Sequence, residues 1–352
     1  MEKKLGEIFF EVNERKHPEL PVLSIQQGIG TVFRDISERR IAYDKANINA
    51  YKVIEPGDFI IHLRSFEGGL ECSKHKGISS PAYKILRSNC IDSAAFKDYF
   101  RSYNFIEGKL AAAVTGIRDG KNIDMPTFWS LKINIPSLPE QKKIAAFFTL
   151  LDRCIQKQRQ LVECLKTYKR GVIKQYFSAQ KDNTKWTKST ISNCLFYEQP
   201  QKYIVHSEHY SNTYETPVLT ANKAFILGYT NELDGIYDKG DVLIYDDFTM
   251  EVKYVDFPFK VKSSTIKMLT PQSGIDLYFM FTLLKSLDLQ PEGHQRSYIS
   301  ILEPMEVNIP CYEEQARASG IFRLLDKQIE KEQQLLHKIL DLKSSLLQKM
   351  FI

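Results

Sequence analysis

NIPSLPEQKKIAAFFTLLDRCIQKQRQLVECLKTYKRGVIKQYF at residues 134–177 is repeated as NIPCYEEQARASGIFRLLDKQIEKEQQLLHKILDLKSSLLQKMF at residues 308–351. The two copies align without a gap at a constant offset of 174 residues, which relates Gln141 to Gln315 and Asp152 to Asp326. A repeat of this length indicates a duplicated structural unit. Each copy opens with proline and then continues for more than thirty residues without one, so each predicts a long helix.

Apolar residues in each copy recur at alternating steps of three and four, the a and d spacing of a coiled coil. In the first copy this stripe consists of Ile144, Phe148, Leu151, Ile155, Gln158, Val162, Leu165, Lys169, Val172 and Tyr176. In the second copy it consists of Ala318, Phe322, Leu325, Ile329, Glu332, Leu336, Ile339, Lys343, Leu346 and Met350. Polar residues interrupt both stripes at the same two levels, so we expect the helices to pair with each other. The stripe leaves parallel and antiparallel packing open, and the alternative is that each helix packs on its own domain.

The segments outside the repeat have a different pattern of residues. They contain short β-branched and aromatic runs separated by Gly, Pro, Asn and Asp, which predicts mixed α/β domains. PVLSIQQGIG from Pro21 is similar to PVLTANKAFILG from Pro217, and GDFIIHLRSF from Gly57 is similar to GDVLIYDDFT from Gly240. These matches need small gaps, so we expect a shared fold with diverged surfaces.

The predicted fold class is therefore α+β, with two globular mixed α/β domains separated by two long helices paired as a coiled coil. The predicted boundaries are residues 1–133 for the first domain, 134–181 for the first helix and linker, 182–307 for the second domain, and 308–352 for the second helix. The polar segment SAQKDNTK at 178–185 predicts the linker.

Composition excludes several classes of protein. Hydrophobic residues at 43% and charged residues at 26% indicate a folding chain and exclude collagen-like and disordered classes. No apolar run has the roughly 20 residues of a membrane span. The beginning, MEKKLGEIFF, has no signal-peptide pattern, so we expect a cytoplasmic protein. The six cysteines form no CxxC pair, and we interpret them as reduced, mostly buried thiols.

The repeat resembles the specificity subunits of type I restriction–modification systems. The family pattern is an Ile-Pro strand, a Pro-Glu-Gln opening, Leu-Asp with Ile three residues on, and a Lys-rich helix ending in Phe. The first copy meets it with Ile135, Pro136, Pro139, Glu140, Gln141, Leu151, Asp152, Ile155 and Phe177. The second copy meets it with Ile309, Pro310, Glu314, Gln315, Leu325, Asp326, Ile329 and Phe351, and departs from it at Tyr312-Glu313.

The resemblance implies that the globular parts are two target recognition domains, each binding one half of a split, asymmetric DNA target. It implies that the paired helices set the spacing and dock two modification (methyltransferase) subunits, and that restriction subunits join the full complex. No cofactor is implied for this chain: S-adenosylmethionine belongs to the modification subunits, and ATP and Mg²⁺ belong to the restriction subunits. Catalysis is expected in the other chains.

Basic and amide side chains in predicted loops are the candidates for DNA contact, because Arg binds guanine, Gln binds adenine, and Lys or His binds phosphate. In the first domain they are Arg34, Arg39, Arg40, Arg64, Lys74, His75, Arg118 and Lys121. In the second domain they are Lys202, His206, Lys223, His294, Gln295 and Arg296. For any one of them, an ordinary exposed residue is the alternative interpretation.

Charge is uneven along the chain, whose formal net charge is +5. Residues 139–177 carry a net charge of +6 and residues 313–351 a net charge of +1, which leaves about −2 for the rest. Attraction to DNA must therefore come from local clusters, the first helix or partner subunits. Two alternatives stay open. One is a protein-interaction scaffold, and the other is a Mg²⁺-dependent nuclease that uses Asp247, Glu251 and Lys253 of DDFTMEVK.

Overall fold

The computed structural model describes residues 1–34, 45–62, 69–116, 122–179, 185–220, 225–290 and 296–350. The chain divides into two compact units. Unit 1 consists of Met1–Gln160 and Gln334–Ile352, and unit 2 consists of Leu161–Gln333. Each unit thus contains one globular part and portions of both long helices. These units are defined by packing, and the boundaries predicted from the sequence stay a prediction.

Eight α-helices lie in the described part of the chain. They are α1 Leu5–Ile8, α2 Ser93–Phe96, α3 Tyr103–Ile106, α4 Met125–Ser130, α5 Leu138–Ala179, α6 Ile191–Cys194, α7 Leu277–Ser286 and α8 Tyr312–Met350. Short 3₁₀ helices occupy Lys45–Ala50, Tyr99–Arg101, Leu110–Ala113 and Pro200–Tyr203, and a π-helical turn occupies Tyr298–Leu302.

Twenty-one strands are described. Those of unit 1 are β1 Glu2–Lys4, β2 Phe10–Val12, β3 Leu23–Gln26, β4 Gly30–Phe33, β5 Lys52–Ile54, β6 Phe59–His62, β7 Glu71–Cys72, β8 Gly77–Ser79, β9 Tyr83–Arg87, β10 Val114–Thr115, β11 Asn122–Ile123 and β12 Lys132–Asn134. Those of unit 2 are β13 Thr187–Thr190, β14 Leu195–Glu198, β15 Thr216–Leu219, β16 Ile226–Thr230, β17 Val242–Asp246, β18 Val252–Val255, β19 Lys260–Val261, β20 Ile266–Pro271 and β21 Glu306–Ile309.

The two repeated stretches form the longest helices, α5 with 42 residues and α8 with 39. Both are continuous through the Leu-Asp step at Asp152 and Asp326. Helix α5 continues through Ala179, so the first two residues of the predicted linker are helical.

The globular parts share a sheet arrangement. Unit 1 has a four-stranded antiparallel sheet in the order β2-β9-β6-β7, and unit 2 has one in the order β14-β20-β17-β18. In both sheets the strand that follows the similar Gly-Asp segment, β6 in unit 1 and β17 in unit 2, is an inner strand. Gly57 and Gly240 precede these strands, and each has a φ of 92°, a left-handed conformation that favours glycine. The similarity found in the sequence therefore reflects a similar backbone.

Within unit 2 the two long helices are antiparallel. Lys169 of α5 donates to Asp326 of α8, and seven residues later the ring of Tyr176 lies 5.6 Å from that of Phe322. Of these two contacts, the one nearer the end of α5 is also the one nearer the start of α8. Only an antiparallel pair does this.

Unit 1 repeats the same pairing with the roles of the helices exchanged. Lys343 of α8 donates to Asp152 of α5 at 2.6 Å, and the offset of 174 residues turns this pair into Lys169 with Asp326. Leu346 and Leu347 pack against the core that contains Phe148. The lysines that interrupt the two apolar stripes are thus ion-paired across the helix pair.

The Glu-Gln opening of each repeat joins the long helix to its globular part. Gln141 is 1% exposed, and its amide accepts from the backbone N–H of Asp92 at 2.7 Å and donates to the carbonyl of Pro136 at 3.0 Å. Gln315 makes the equivalent bonds with Asp276, at 2.9 Å, and Pro310, at 2.9 Å. Asp92 and Asp276 cap α2 and α7. The repeated Glu-Gln motif therefore has a structural role in this chain.

Cysteine burial differs from the sequence expectation. All six are described and none forms a disulfide, but only Cys194 is buried. Cys154, Cys164 and Cys311 are exposed, because the first two lie on α5 outside the seam and the third precedes α8. The expectation of mostly buried thiols was wrong. No helix of the described residues is long and apolar enough to cross a bilayer.

Candidate nucleic-acid interface

The hairpin β3–β4 of unit 1 collects three of the predicted contact residues. His75 Nδ1 lies 2.9 Å from the carbonyl oxygen of Thr31, which can only accept, so Nδ1 carries the proton. The His75 ring also lies 4.6 Å from the Phe33 ring. Arg34, directly after β4, donates to Ser24 Oγ at 3.2 Å, and Lys74 is exposed beside His75. The fold thus gathers Arg34, Lys74 and His75 around one hairpin.

A buried carboxylate holds the tip of this hairpin. Glu71 accepts from the backbone N–H of Gly28 at 2.6 Å and lies 3.4 Å from Arg101. Arg101 also binds Asp98 at 2.9 Å, and Asp98 lies 2.8 Å from Lys343 of α8. Alternating charges therefore connect the long helix to the hairpin tip, all within unit 1.

In unit 2 a similar arrangement fixes the segment that contains His206. Glu232 accepts from the backbone N–H groups of His206, at 2.9 Å, and Ser207, at 2.7 Å. Its charge is balanced by Lys260, which is fully buried, at 2.7 Å. Burial raises the pKa of Glu232, but the bonds from Lys260 and from the two backbone groups outweigh burial and hold the pKa below its ordinary value. Lys202 is exposed on the 3₁₀ helix nearby in sequence.

Arg296 belongs to the PEGHQRSY segment, whose described residues 296–298 are anchored by Asp247. Asp247 is 1% exposed and accepts from the backbone N–H of Tyr298 at 2.9 Å. Its other oxygen lies 3.1 Å from Lys267 and 3.9 Å from Arg296 Nε. Arg296 itself keeps an exposed side chain on this anchored turn.

The remaining predicted contact residues lie outside the described part of the chain. They are Arg39, Arg40, Arg64, Arg118, Lys121, Lys223, His294 and Gln295. The role of every predicted site residue stays a prediction.

Sequence reasoning missed the structural role of the carboxylates that hold these segments. Glu71, Glu232 and Asp247 each combine a buried cation or Arg partner with a backbone N–H of a candidate segment. A carboxylate is ordinarily a surface group, and the partners of these three are 20 to 51 residues away in sequence. Only a motif linking these distant positions could have revealed them.

Asp247 was one of the residues behind the nuclease alternative. Both of its oxygens bind groups of the protein itself, so it holds a turn in this structure. Glu251 is exposed and lies 3.9 Å from Lys253. Across the described ranges, no group of three His, Cys, Asp or Glu side chains is placed to hold a metal ion.

The long helices have a second apolar stripe beside their seam, which the sequence analysis did not identify. Four exposed residues of α5, Phe147, Leu150, Leu161 and Tyr168, have exposed partners at the same offset of 174 in α8, and these are Ile321, Leu324, Leu335 and Leu342. All eight are 42% to 67% exposed. Each unit contains four of them, two from each helix. We call this set the outer stripe.

Comparison with known proteins identifies part of this architecture. Residues 99–167, which span the end of the first globular part and the first 30 of the 42 residues of α5, match the family described as type I restriction modification DNA specificity domain. The chain is also 45% identical over 141 residues to the EcoR124I/EcoR124II type I restriction enzyme specificity subunit of Escherichia coli. That match covers 37% of this chain and 35% of the relative, so about a third of the curated relative's length is matched.

Solved structures confirm the predicted α+β fold beyond the residues matched in sequence. The chain is similar, with a TM-score of 0.62 and 14% identity, to the S subunit of a type I restriction-modification system from M. genitalium, over 100% of this chain and 96% of that one. It is similar, with a TM-score of 0.59 and 16% identity, to a chain from a study of complex assembly and conformational transition of the type I R-M system, over 99% and 96%. The predicted resemblance to specificity subunits is thus confirmed by the sequence matches, and these structural likenesses show the fold.

Proposed function

We propose that this chain is the DNA sequence-specificity subunit of a type I restriction–modification complex. Each globular part binds one half of a bipartite, asymmetric DNA target, and the paired helices set the distance between the two halves. The observation that carries this proposal is the combination of a tightly repeated helix with two globular parts that share a sheet order and differ in their loops. Two globular parts with the same sheet order but different loops are suited to binding two different half-sites.

The outer stripe supports docking of two modification subunits. Exposed apolar residues in a contiguous pattern mark protein interaction surfaces, and the same pattern occurs once in each unit. Equivalent surfaces bind copies of the same partner, so the expected number is two methyltransferase subunits per chain. Restriction subunits then join the complete assembly.

Catalysis belongs to the partners in this proposal. S-adenosylmethionine would be bound by the modification subunits, and ATP and Mg²⁺ by the restriction subunits. The chain would act on double-stranded DNA in the cytoplasm.

The proposal is tested by expressing the chain with its cognate modification subunits and mapping methylated adenines across a genome. We expect a two-part motif with a fixed gap. Methylation without a sequence motif, or a motif with one continuous part, would contradict the proposal.

Salt dependence separates this function from the scaffold alternative. A chain that binds phosphates loses DNA affinity steeply as salt increases, whereas a protein scaffold has no DNA affinity to lose. The nuclease alternative requires Mg²⁺-dependent DNA cutting by the isolated chain that disappears in Glu251→Ala.

A further inference from the structure

An isoleucine is presented to solvent on the anchored turn of unit 2. Ile299 is 71% exposed, and Arg296, three residues earlier, has a side chain that is 68% exposed. The two residues between them, Ser297 and Tyr298, are buried. Arg296 and Ile299 therefore both lie on the outer side of one turn.

This turn is rigidly attached to the core. Ser297 Oγ donates to the carbonyl of Asp247 at 2.8 Å and lies 2.6 Å from the hydroxyl of buried Tyr245. The carboxylate of Asp247 accepts from the backbone N–H of Tyr298. A turn with this many buried attachments has little freedom to fold Ile299 inward and hide it from water.

The backbone of the turn is also unusual. The Ser297 carbonyl accepts from Ile301 at 2.9 Å and from Leu302 at 3.1 Å, and the Tyr298 carbonyl accepts from Glu303 at 2.8 Å. These bonds widen residues 298–302 into a π-helical turn. π-helical turns are rare in proteins, and those that occur are often found at functional sites.

We propose that Ile299 contacts the 5-methyl group of a thymine in the half-site bound by unit 2, with Arg296 beside it on guanine or phosphate. This inference rests on the proposed function. An apolar side chain recognises thymine through that methyl group in the major groove, and Arg is the usual partner of guanine there. A positive and an apolar side chain fixed three residues apart match these two neighbouring features of a base sequence.

Deoxyuridine provides a direct test, because it differs from thymine only by lacking the 5-methyl group. Duplexes containing the mapped target, with one thymine at a time replaced by deoxyuridine, are bound to the complete complex with its modification subunits at fixed salt. We expect one replacement to weaken binding of the wild type about four-fold, the effect of about one buried methyl group. Ile299→Ala should bind the thymine and deoxyuridine duplexes equally.

Ile301→Ala is the matched control, because Ile301 is a less exposed isoleucine of the same turn. It should keep the full thymine dependence of the wild type. The inference is overturned if no deoxyuridine replacement weakens wild-type binding. It is also overturned if Ile299→Ala still binds the deoxyuridine duplex more weakly than the thymine duplex. In either case, a wild-type complex that still prefers its target over a scrambled duplex leaves the proposed function intact. A wild-type complex without that preference overturns both.

Discussion

Two buried glutamines join the long helices to the globular parts, and their effect on stability can be measured one at a time. Gln141→Ala leaves the N–H of Asp92 and the carbonyl of Pro136 without these partners. Each unsatisfied buried group costs about 1–3 kcal/mol, so we expect unit 1 to lose about 2–4 kcal/mol of unfolding free energy. Denaturant unfolding in a Trp186→Phe background follows unit 1 alone, because Trp129 is then the remaining tryptophan.

Gln160→Ala is the control for this measurement. Gln160 is exposed on α5, and its loss should change the unfolding free energy by less than about 0.5 kcal/mol. If Gln141→Ala behaved like this control, the amide would not be holding α2 to the helix.

The lowered pKa of Glu232 predicts that the stability of unit 2 depends on pH. Its pKa in the folded state lies below the ordinary value near 4.5, so the carboxylate stabilises the fold above that value. The stabilisation is lost as the pH falls through the folded-state pKa, because protonation breaks the pair with Lys260. Unit 2, whose unfolding is followed by Trp186 in a Trp129→Phe background, should therefore lose stability as the pH falls below about 4.5.

Glu232→Gln should remove this part of the pH dependence, since the amide does not titrate. The exposed Glu215→Gln should leave the wild-type slope unchanged. Equal slopes in wild type and Glu232→Gln would show that the pair with Lys260 does not stabilise unit 2.

The helix pair shows what a sequence pattern can and cannot determine at the scale of elements. The a and d stripe predicted the seam, and Ile155, Val162 and Ile329 are buried as expected. The direction of pairing was not predictable, because the same stripe serves both directions. It depends on contacts between residues more than 150 positions apart, such as Lys169 with Asp326 and Lys343 with Asp152.

The outer stripe predicts the number of partner subunits. Replacing Leu335 and Leu342 with Asp places two charges in the outer stripe of unit 1, and charges at the centre of an apolar interface prevent docking. We expect such a chain to bind one modification subunit, whereas the wild type binds two. Light scattering after size-exclusion chromatography measures the mass of each complex.

Replacing Leu161 and Tyr168 in unit 2 should give the same loss of one subunit, and all four replacements together should leave none. Gln334→Asp is the control, because Gln334 is exposed and lies on the helix face opposite the seam. Two subunits bound to the Leu335 and Leu342 variant would show that docking uses another surface.

At the scale of the whole molecule, the sequence predicted two similar globular parts but not their strand order. The matches around Gly57 and Gly240 are local, whereas the order β2-β9-β6-β7 depends on pairing between strands distant in sequence, such as Phe10 with Arg87. The candidate site was predictable to a similar degree. Residue type and position in predicted loops indicated Arg34, His75 and Arg296, but the buried carboxylates that fix their segments became visible only from long-range contacts.

The proposed spacing role of the helices predicts the effect of lengthening them. Seven residues inserted after Gln160 and after the equivalent Gln334 keep the a and d seam and add about 10 Å, or roughly three base pairs. DNA turns by nearly a third of a helical turn over that distance, so a rigid spacer would present one domain to the wrong side of the duplex. We expect this variant to lose sequence-specific methylation.

Three heptads inserted at the same two positions add about 32 Å, close to one turn of DNA at roughly 34–36 Å. Both domains then face the same side of the duplex again, so we expect methylation to return at the original half-sites with a gap longer by about nine or ten base pairs. Methylome mapping of both variants measures this directly. If the shorter insertion left the original motif unchanged, the distance between half-sites would be set by something other than the helices, because no rigid spacer can lengthen by three base pairs and keep the same gap.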